Sequence, residues 1–263
     1  MDTPLATCVP DYMPNDPRAT DITVRNVLSH TTGLPNWRNN EWPLKTYFSP
    51  GERFSYSGEG FVWLQQVAEK ISGESIDALM QRLVFDPLEM RDSGYVWRPN
   101  FDTNFADPHD SSGSPGLKRK PETANTAYSL QTTAPDYARF VRAVLSGALL
   151  KPATKRLWLE PQVRVRWHRY QCLSPTIPEA DQGVAWGLGW GVEPDSNMFF
   201  HWGDNGPFKA FAIGSVADRA AAVVFANGEN GMSIIPDLVD QLMPGDHLVF
   251  KWLDYPRYAP KGS

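Results

Sequence analysis

The sequence is poor in cysteine, and it has neither a long apolar run nor a recognisable leader. Its two cysteines, Cys8 and Cys172, form no C-x-x-C pair, so zinc-binding spacing is missing and two free thiols are expected. No stretch has the roughly 20 apolar residues that span a bilayer. The segment Met1-Asp2-Thr3-Pro4 lacks the basic and apolar parts of a signal peptide. We therefore predict no metal site and no membrane span, and the sequence leaves the cellular compartment open.

A strong charge of one sign is also missing. Lys and Arg number 25 against 30 Asp and Glu, a net charge of −5, which provides no basic field for nucleic acid. The G-x-S-x-G elbow that marks one large class of hydrolases is absent as well, and nothing points to a cofactor. Apolar residues make up 41% of the 263 positions, enough for one sizeable core or two small lobes.

The spacing of apolar residues changes along the chain. Helical spacing predicts helices over residues 22–28, 60–71, 75–86 and 133–147, with Thr23, Ser75 and Thr133 as caps and Gly73 and Gly147 as stops. Residues 99–126 are polar and carry Pro and Gly, which indicates a long loop. Near the end, alternating patterns predict strands over 198–202, 208–216 and 220–226, before a helix over 234–243. Helices first and an antiparallel meander last indicate an α+β fold.

Five segments, in order along the chain, carry a family resemblance. They are residues 22–35 (ITVRNVLSHTTGLP), 49–58 (SPGERFSYSG), 83–90 (LVFDPLEM), 184–191 (VAWGLGWG) and 200–203 (FHWG). Together they resemble serine β-lactamase-like hydrolases: penicillin-binding proteins, class C β-lactamases and related esterases. The second segment is similar to the family's Y-x-N stretch, and the last to the H-x-G form of its K-T-G strand. Each segment alone is a weak signal, but five in this order identify the family.

The resemblance implies acyl transfer through a serine ester on a β-lactamase/DD-peptidase-like fold, with a helical lobe and an antiparallel sheet. By position, Tyr56 is the proton-shuttling tyrosine and His201 belongs to the strand motif; these two are the catalytic candidates. The backbone N–H of Asp204 would serve the oxyanion. His30 is interpreted as a structural residue of its loop. The substrate-binding candidates are Ser57, Gly58, Trp202, Gly203 and Asp204.

Two departures from the family pattern matter. Gly58 replaces the asparagine of Y-x-N, which removes a side-chain amide and favours ester over lactam or peptide substrates. No serine is followed three residues later by lysine, so the family's Ser-x-x-Lys is missing; in the family it precedes a segment similar to residues 1–10. We therefore expect the fold to lack the catalytic helix and the N-terminal strands.

Three functional hypotheses follow from these residues. The first is a β-lactamase-related serine hydrolase, esterase or amidase, represented by a chain that lacks its nucleophile and is inactive as written. The second is a non-catalytic binding protein that keeps the substrate groove. The third uses Ser57 or Ser29 as the nucleophile, although neither has a lysine or histidine at an activating spacing. In each case the expected ligand is a small ester, amide or β-lactam-like molecule.

The expected layout is a mostly helical lobe with long loops over residues 1–183, followed by strands and the C-terminal helix over 184–263. Without N-terminal strands, one edge of the sheet would be unpaired, and Phe211, Ile213, Val223 and Phe225 would lose part of their cover. The prediction is either self-association through that edge or a complementing N-terminal fragment as partner.

Overall fold

Six strands form one antiparallel sheet in the computed structural model, which describes residues 1–12, 14–175 and 180–259. The strands are β1 (Val163–Arg164), β2 (Ala185–Trp186), β3 (Gly191–Glu193), β4 (Met198–Asn205), β5 (Phe208–Ser215) and β6 (Ala220–Ala226). Each strand pairs with the next one in the chain, so the order in the sheet is the order in the sequence. The long pair, β4 and β5, runs from Met198 opposite Ser215 to Asn205 opposite Phe208.

The helices begin and end largely where the sequence supplies caps. They are α1 (Val24–Leu28), α2 (Gly58–Ser72), α3 (Ile76–Met80), α4 (Ala134–Ser146), α5 (Pro152–Trp158), α6 (Ile235–Leu242) and α7 (Leu248–Leu253). The hydroxyls of Thr23, Ser57, Ser75 and Thr133 accept N–H bonds in the first turns of α1 to α4. Gly73 and Gly147 end α2 and α4 with φ of 71° and 66°, a conformation that glycine adopts without strain. Within the described residues, no helix is both long and apolar enough to cross a membrane.

Three apolar clusters hold these elements together. One face of the sheet packs on α6 and α7, with Trp186, Phe200 and Trp252 among its fully buried residues. The other face packs on α4 through Val141, Val144, Trp190, Phe199 and Ala212. A third cluster joins α1, α2 and the N-terminal segment around Trp63. The sheet is therefore covered on both faces. The segment between α1 and α2 contributes to two of these clusters, with Leu34 in the third cluster and Phe54 in the first.

The observed elements match the predicted α+β architecture, with three differences in detail. Strand β4 continues beyond residue 202 to Asn205, because the polar end of the hairpin still pairs with β5. The sheet begins at β1, before the predicted division at 183/184, and this strand and α5 carry too few residues for a periodic signal. The expected loss of cover was wrong for Phe211 and Ile213, which are 1% and 0% exposed because α6 and α7 cover that face.

Candidate active site

Tyr56 lies in an extended segment immediately before α2. Before this segment the chain turns at Gly51, whose φ is 86° and whose N–H donates to the Thr31 carbonyl at 2.8 Å. The Tyr56 N–H donates to the carbonyl of Tyr170 at 2.8 Å, and Ser57 then caps α2. Tyr56 is thus fixed by backbone contacts on both sides, before its own side chain makes any contact.

The Tyr56 ring is surrounded by aromatic side chains from the segment before α2 and from β4. It stacks on His30 with 3.9 Å between ring centroids, and it lies 5.1 Å from Trp202 and 6.2 Å from His201. Burial raises the pKa of Tyr56, so the phenol is protonated at neutral pH. No protein group in the described part of the chain hydrogen-bonds its hydroxyl, which is therefore free to donate to and accept from a ligand.

His30 packs against the face of the Tyr56 ring. Its Nδ1 accepts the Ser57 N–H at 3.0 Å, and its carbonyl accepts the Ser55 N–H at 2.8 Å. An accepting Nδ1 places the proton of the neutral ring on Nε2, a buried atom without a hydrogen-bond partner among the described residues. Burial, reinforced by His201, holds the pKa of His30 well below its usual value. The contacts fit the interpretation of His30 as a residue that ties its loop to the segment carrying Tyr56.

His201 faces the same space from β4. Its Nδ1 lies 2.8 Å from the carbonyl oxygen of Trp202, which can only accept, so Nδ1 carries the proton and Nε2 is left as an acceptor. Burial lowers the pKa of His201 to about 4, opposed by that backbone bond. The imidazole is therefore neutral at pH 7 and presents a lone pair.

The end of β4 supplies main-chain groups next to His201. Strand β3 pairs only with Met198–Phe200, so in the part of the chain the structure describes, the segment from His201 to Asn205 pairs with β5 on one side and has no strand on the other. Asp204 is held by Lys209 in an ion pair and by the Tyr255 hydroxyl at 2.8 Å. A strand edge whose end is fixed in this way can receive the extended part of a substrate.

The remaining predicted site residues lie in the first turn of α2 and on β4, and most of their polar groups are engaged within the protein. The Ser57 hydroxyl is 2.8 Å from the Pro35 carbonyl and caps α2, and the Ser57 N–H donates to His30, so both groups are engaged within the protein. Gly58 donates its N–H to the Asn36 carboxamide oxygen at 2.9 Å. Trp202 is 8% exposed and packs on Tyr56 and Trp252. Gly203 lies opposite Ala210 in the β4–β5 pair.

Sequence reasoning did not single out the aromatic residues around this site. Trp37, Tyr128 and Tyr170 have exposed fractions of 40%, 54% and 42%. Tyr170 contacts both Tyr56 and Trp202, and Trp37 lies edge-on to Tyr128 at 5.8 Å. The high tryptophan content was the available signal, but it does not distinguish a surface aromatic from a core one.

Comparison with known proteins was consistent across sequence and structure. The Beta-lactamase family profile matches residues 1–238. The chain is 28% identical over 222 residues to the lovastatin esterase of Penicillium rubens, covering 66% of this chain and 55% of that protein. It is 23% identical over 263 residues to protein flp of Staphylococcus aureus strain MRSA252, covering 92% of this chain and 48% of that protein. The chain thus spans about half the length of these curated relatives.

Solved structures share the fold at low sequence identity. The octameric penicillin-binding protein homologue from Pyrococcus abyssi superposes with a TM-score of 0.69 at 18% identity, covering 92% of this chain and 62% of that one. The D-stereospecific amidohydrolase from Streptomyces sp. gives 0.69 at 18% identity, covering 94% and 79%. These similarities establish a β-lactamase/penicillin-binding-protein-like fold with an antiparallel sheet and helices.

Proposed function

This chain belongs to the Beta-lactamase family, and we propose that it carries the proton-transfer and substrate-binding part of an esterase that works through an acyl-enzyme. The serine and lysine of that reaction are supplied by a segment outside these 263 residues, so the chain alone forms no acyl-enzyme. The observation that carries the proposal is the Tyr56 hydroxyl, which bonds no described residue and belongs to a ring that stacks on His30 and lies 6.2 Å from His201, near the unpaired edge of β4.

The proposed reaction assigns each group a role. The serine oxygen attacks the ester carbonyl, the carbonyl oxygen becomes an oxyanion facing the Asp204 N–H, and the C–O bond to the alcohol breaks. Burial raises the pKa of Tyr56 in this chain, and a lysine ammonium beside it would lower that pKa, so that the phenolate takes the serine proton as the serine oxygen attacks. Tyr56 then gives the same proton to the departing alkoxide, and the alcohol leaves.

The charges around the site favour a neutral ester over an anionic substrate. The related K-T-G motif places a lysine where this chain has His201, and a neutral imidazole does not attract a carboxylate. Lys209, the nearest lysine along the hairpin, is engaged with Asp204 and the Gly206 carbonyl. Gly58 offers no side-chain amide to a lactam or peptide. The lovastatin esterase relative, named for an ester, supports the same choice.

A different nucleophile within the chain is disfavoured by hydrogen bonding. The Ser57 hydroxyl is bonded to the Pro35 carbonyl, and the Ser29 hydroxyl to the Arg25 carbonyl at 2.8 Å. Both residues are 2% exposed or less. Neither oxygen is available to attack a substrate without local unfolding.

The test combines the gene and a covalent probe. We expect the 263-residue chain to remain unlabelled by a fluorophosphonate and by penicillin, as measured by intact-mass spectrometry. We expect the reading frame upstream of the Met1 codon to encode Ser-x-x-Lys, and the longer product to be labelled at that serine and to hydrolyse p-nitrophenyl butyrate faster than nitrocefin.

The alternatives predict other outcomes. Stoichiometric labelling of Ser29 or Ser57 in the 263-residue chain would refute the proposal. An upstream frame without Ser-x-x-Lys, together with an unlabelled chain, would favour the non-catalytic binding protein. Faster turnover of nitrocefin than of the ester would contradict the substrate assignment and leave the chemistry in place.

A further inference from the structure

We propose that Trp37 is the specificity-determining residue of this site, and that with Tyr128 it forms a subsite for a flat, unsaturated acyl group of the ester. This inference rests on the proposed function, because it names the substrate class of the same site.

The indole of Trp37 occupies the space that a side chain at position 58 would need. A Cβ built on Gly58 would lie 2.7 Å from both Cη2 and Cζ2 of Trp37, and 3.1 Å from the Asn36 carbonyl oxygen. Contacts below 3 Å between carbon atoms are repulsive, so any side chain at position 58 would displace the ring. An apolar ring therefore lies where the family pattern would place a polar amide.

The segment that carries Trp37 is fixed to the first turn of α2 on both sides. Before it, the Asn36 side-chain oxygen accepts the Gly58 N–H at 2.9 Å, and the Asn36 carbonyl accepts the Glu59 N–H at 3.1 Å. After it, the Arg38 guanidinium binds the Glu59 carboxylate through two N–H···O bonds of 2.9 and 2.6 Å. A tryptophan held between two anchored residues keeps its position with little loss of entropy on binding.

An exposed tryptophan in so rigid a setting favours a binding role. The Trp37 ring meets Tyr128 at 71°, and both rings are open to solvent. Tyr128 is in turn linked to the end of β4, because its carbonyl accepts from Asn205 Nδ2 at 3.3 Å. The corner formed by the two rings thus connects the start of α2, which follows Tyr56, with the strand that carries His201.

The angle between the Trp37 and Tyr128 rings favours one kind of ligand. Two rings at nearly a right angle offer one face for stacking and one edge-to-face contact, the two arrangements that aromatic groups prefer. The charged group nearest in sequence, Arg38, is engaged by Glu59 and Tyr12. A planar neutral acyl group gains both contacts, whereas a puckered ring of similar size gains neither in full.

The experiment measures binding to the 263-residue chain, so it needs no turnover. The probes are methyl 2-naphthoate and its saturated counterpart, methyl decahydro-2-naphthoate, titrated by ligand-observed NMR. We expect the flat ester to bind about 3- to 10-fold more tightly, the range of one aromatic contact. Trp37→Ala should remove that preference, and Trp37→Phe should keep part of it.

The matched control is Trp42→Ala, which removes a tryptophan of the same loop that contacts Tyr47 instead. It should leave the preference unchanged, and thermal melts of both alanine variants establish that they fold. In the Trp37→Ala background, Gly58→Asn should be accommodated, whereas Gly58→Asn alone should lower the melting temperature.

The outcomes separate this inference from the esterase proposal. Equal binding of the two esters, no binding of either, or an unchanged preference in Trp37→Ala would overturn the subsite and leave the esterase proposal standing. A Trp37-dependent preference, with no serine labelled in the longer product, would leave the subsite standing and remove the esterase function.

Discussion

The hydroxyl of Tyr56 is not needed for the packing of its ring. This hydroxyl makes no hydrogen bond to a described residue, while the ring stacks on His30 and packs at a tilt against Trp202. We expect Tyr56→Phe to leave the melting temperature of this chain within about 2 °C of the wild type, because no buried bond is lost. In the longer product that carries Ser-x-x-Lys, the same change should slow ester turnover by about 10²- to 10⁴-fold.

The control for this prediction is Tyr47→Phe, at a tyrosine whose hydroxyl bonds the Pro43 carbonyl away from the site. Turnover should then be unchanged. If Tyr56→Phe turns over as fast as the wild type, the tyrosine is only a packing residue.

His201 makes stability depend on pH in a defined direction. Because burial lowers its pKa in the folded chain from 6.5 to about 4, the unfolded chain takes up the proton first as the pH falls. Stability is therefore complete above about pH 6.5 and is lost between pH 6.5 and 4. Each such histidine contributes a slope of up to about 1.4 kcal/mol per pH unit in that window.

We expect His201→Gln to reduce this slope, measured by urea unfolding at several pH values from 7 to 5. His168→Gln is the matched control, since the His168 side chain is 48% exposed beside Asp254. An identical slope in wild type and His201→Gln would show that His201 has the same pKa in the folded as in the unfolded chain. His30, whose pKa is also lowered by burial, adds to the slope in the same direction.

At the scale of elements, the first turn of α2 depends on a buried carboxylate. Glu59 is 4% exposed and accepts from the Arg38 side chain, the Arg38 N–H and the Tyr12 hydroxyl. Burial raises its pKa, but the bonds from Arg38 and Tyr12 outweigh that effect and lower it overall. We expect Glu59→Ala to cost about 2–3 kcal/mol of unfolding free energy, less than a fully buried pair because Arg38 is half exposed.

A double-mutant cycle with Arg38→Ala isolates this contact, and a coupling of about 1 kcal/mol or more is expected for residues in direct contact. The exposed pair Glu74–Arg82 provides the comparison, and Glu74→Ala should change stability much less than Glu59→Ala. Additive effects of Glu59→Ala and Arg38→Ala would mean that the two residues anchor the segment separately.

At the scale of the whole molecule, we expect the edge of the sheet at β6 to govern association. Within the described residues, β6 pairs with β5 alone, and its seven residues are Ala, Val and Phe without a charge. Val223 and Phe225 are partly exposed there. Unpaired apolar edges join other chains, so we expect concentration-dependent self-association in analytical ultracentrifugation.

A lysine on the edge should suppress this association. Ala221 is exposed on β6, and Ala221→Lys should shift the chain toward monomer, whereas Ala153→Lys, at an exposed alanine of α5, should not. A monodisperse wild-type monomer without binding of a hydrophobic dye would show that the edge is closed by the chain itself. A complementing N-terminal fragment should compete with self-association for the same edge.

Several features of this protein were determined by its local sequence. The caps at Thr23, Ser75 and Thr133 and the glycine stops at 73 and 147 fixed helix ends, because they act within one turn. The alternating strands from residue 198 to residue 226 were readable for the same reason: side chains point to opposite faces with a period of two. The motif segments also gave Tyr56 and His201 as candidates, since family signatures are contiguous runs of residues.

Other features were decided only by the tertiary structure. The meeting of Tyr56 with His201, the Tyr170 carbonyl over the Tyr56 N–H, and the Trp37 ring in the space above Gly58 each join segments far apart in the chain. The neutral state of His201 also depends on burial by distant residues. Periodicity and spacing report which face of an element is apolar, but not which distant side chain fills a given space. Close packing decides this, because a ring that fills a space excludes any other side chain from it.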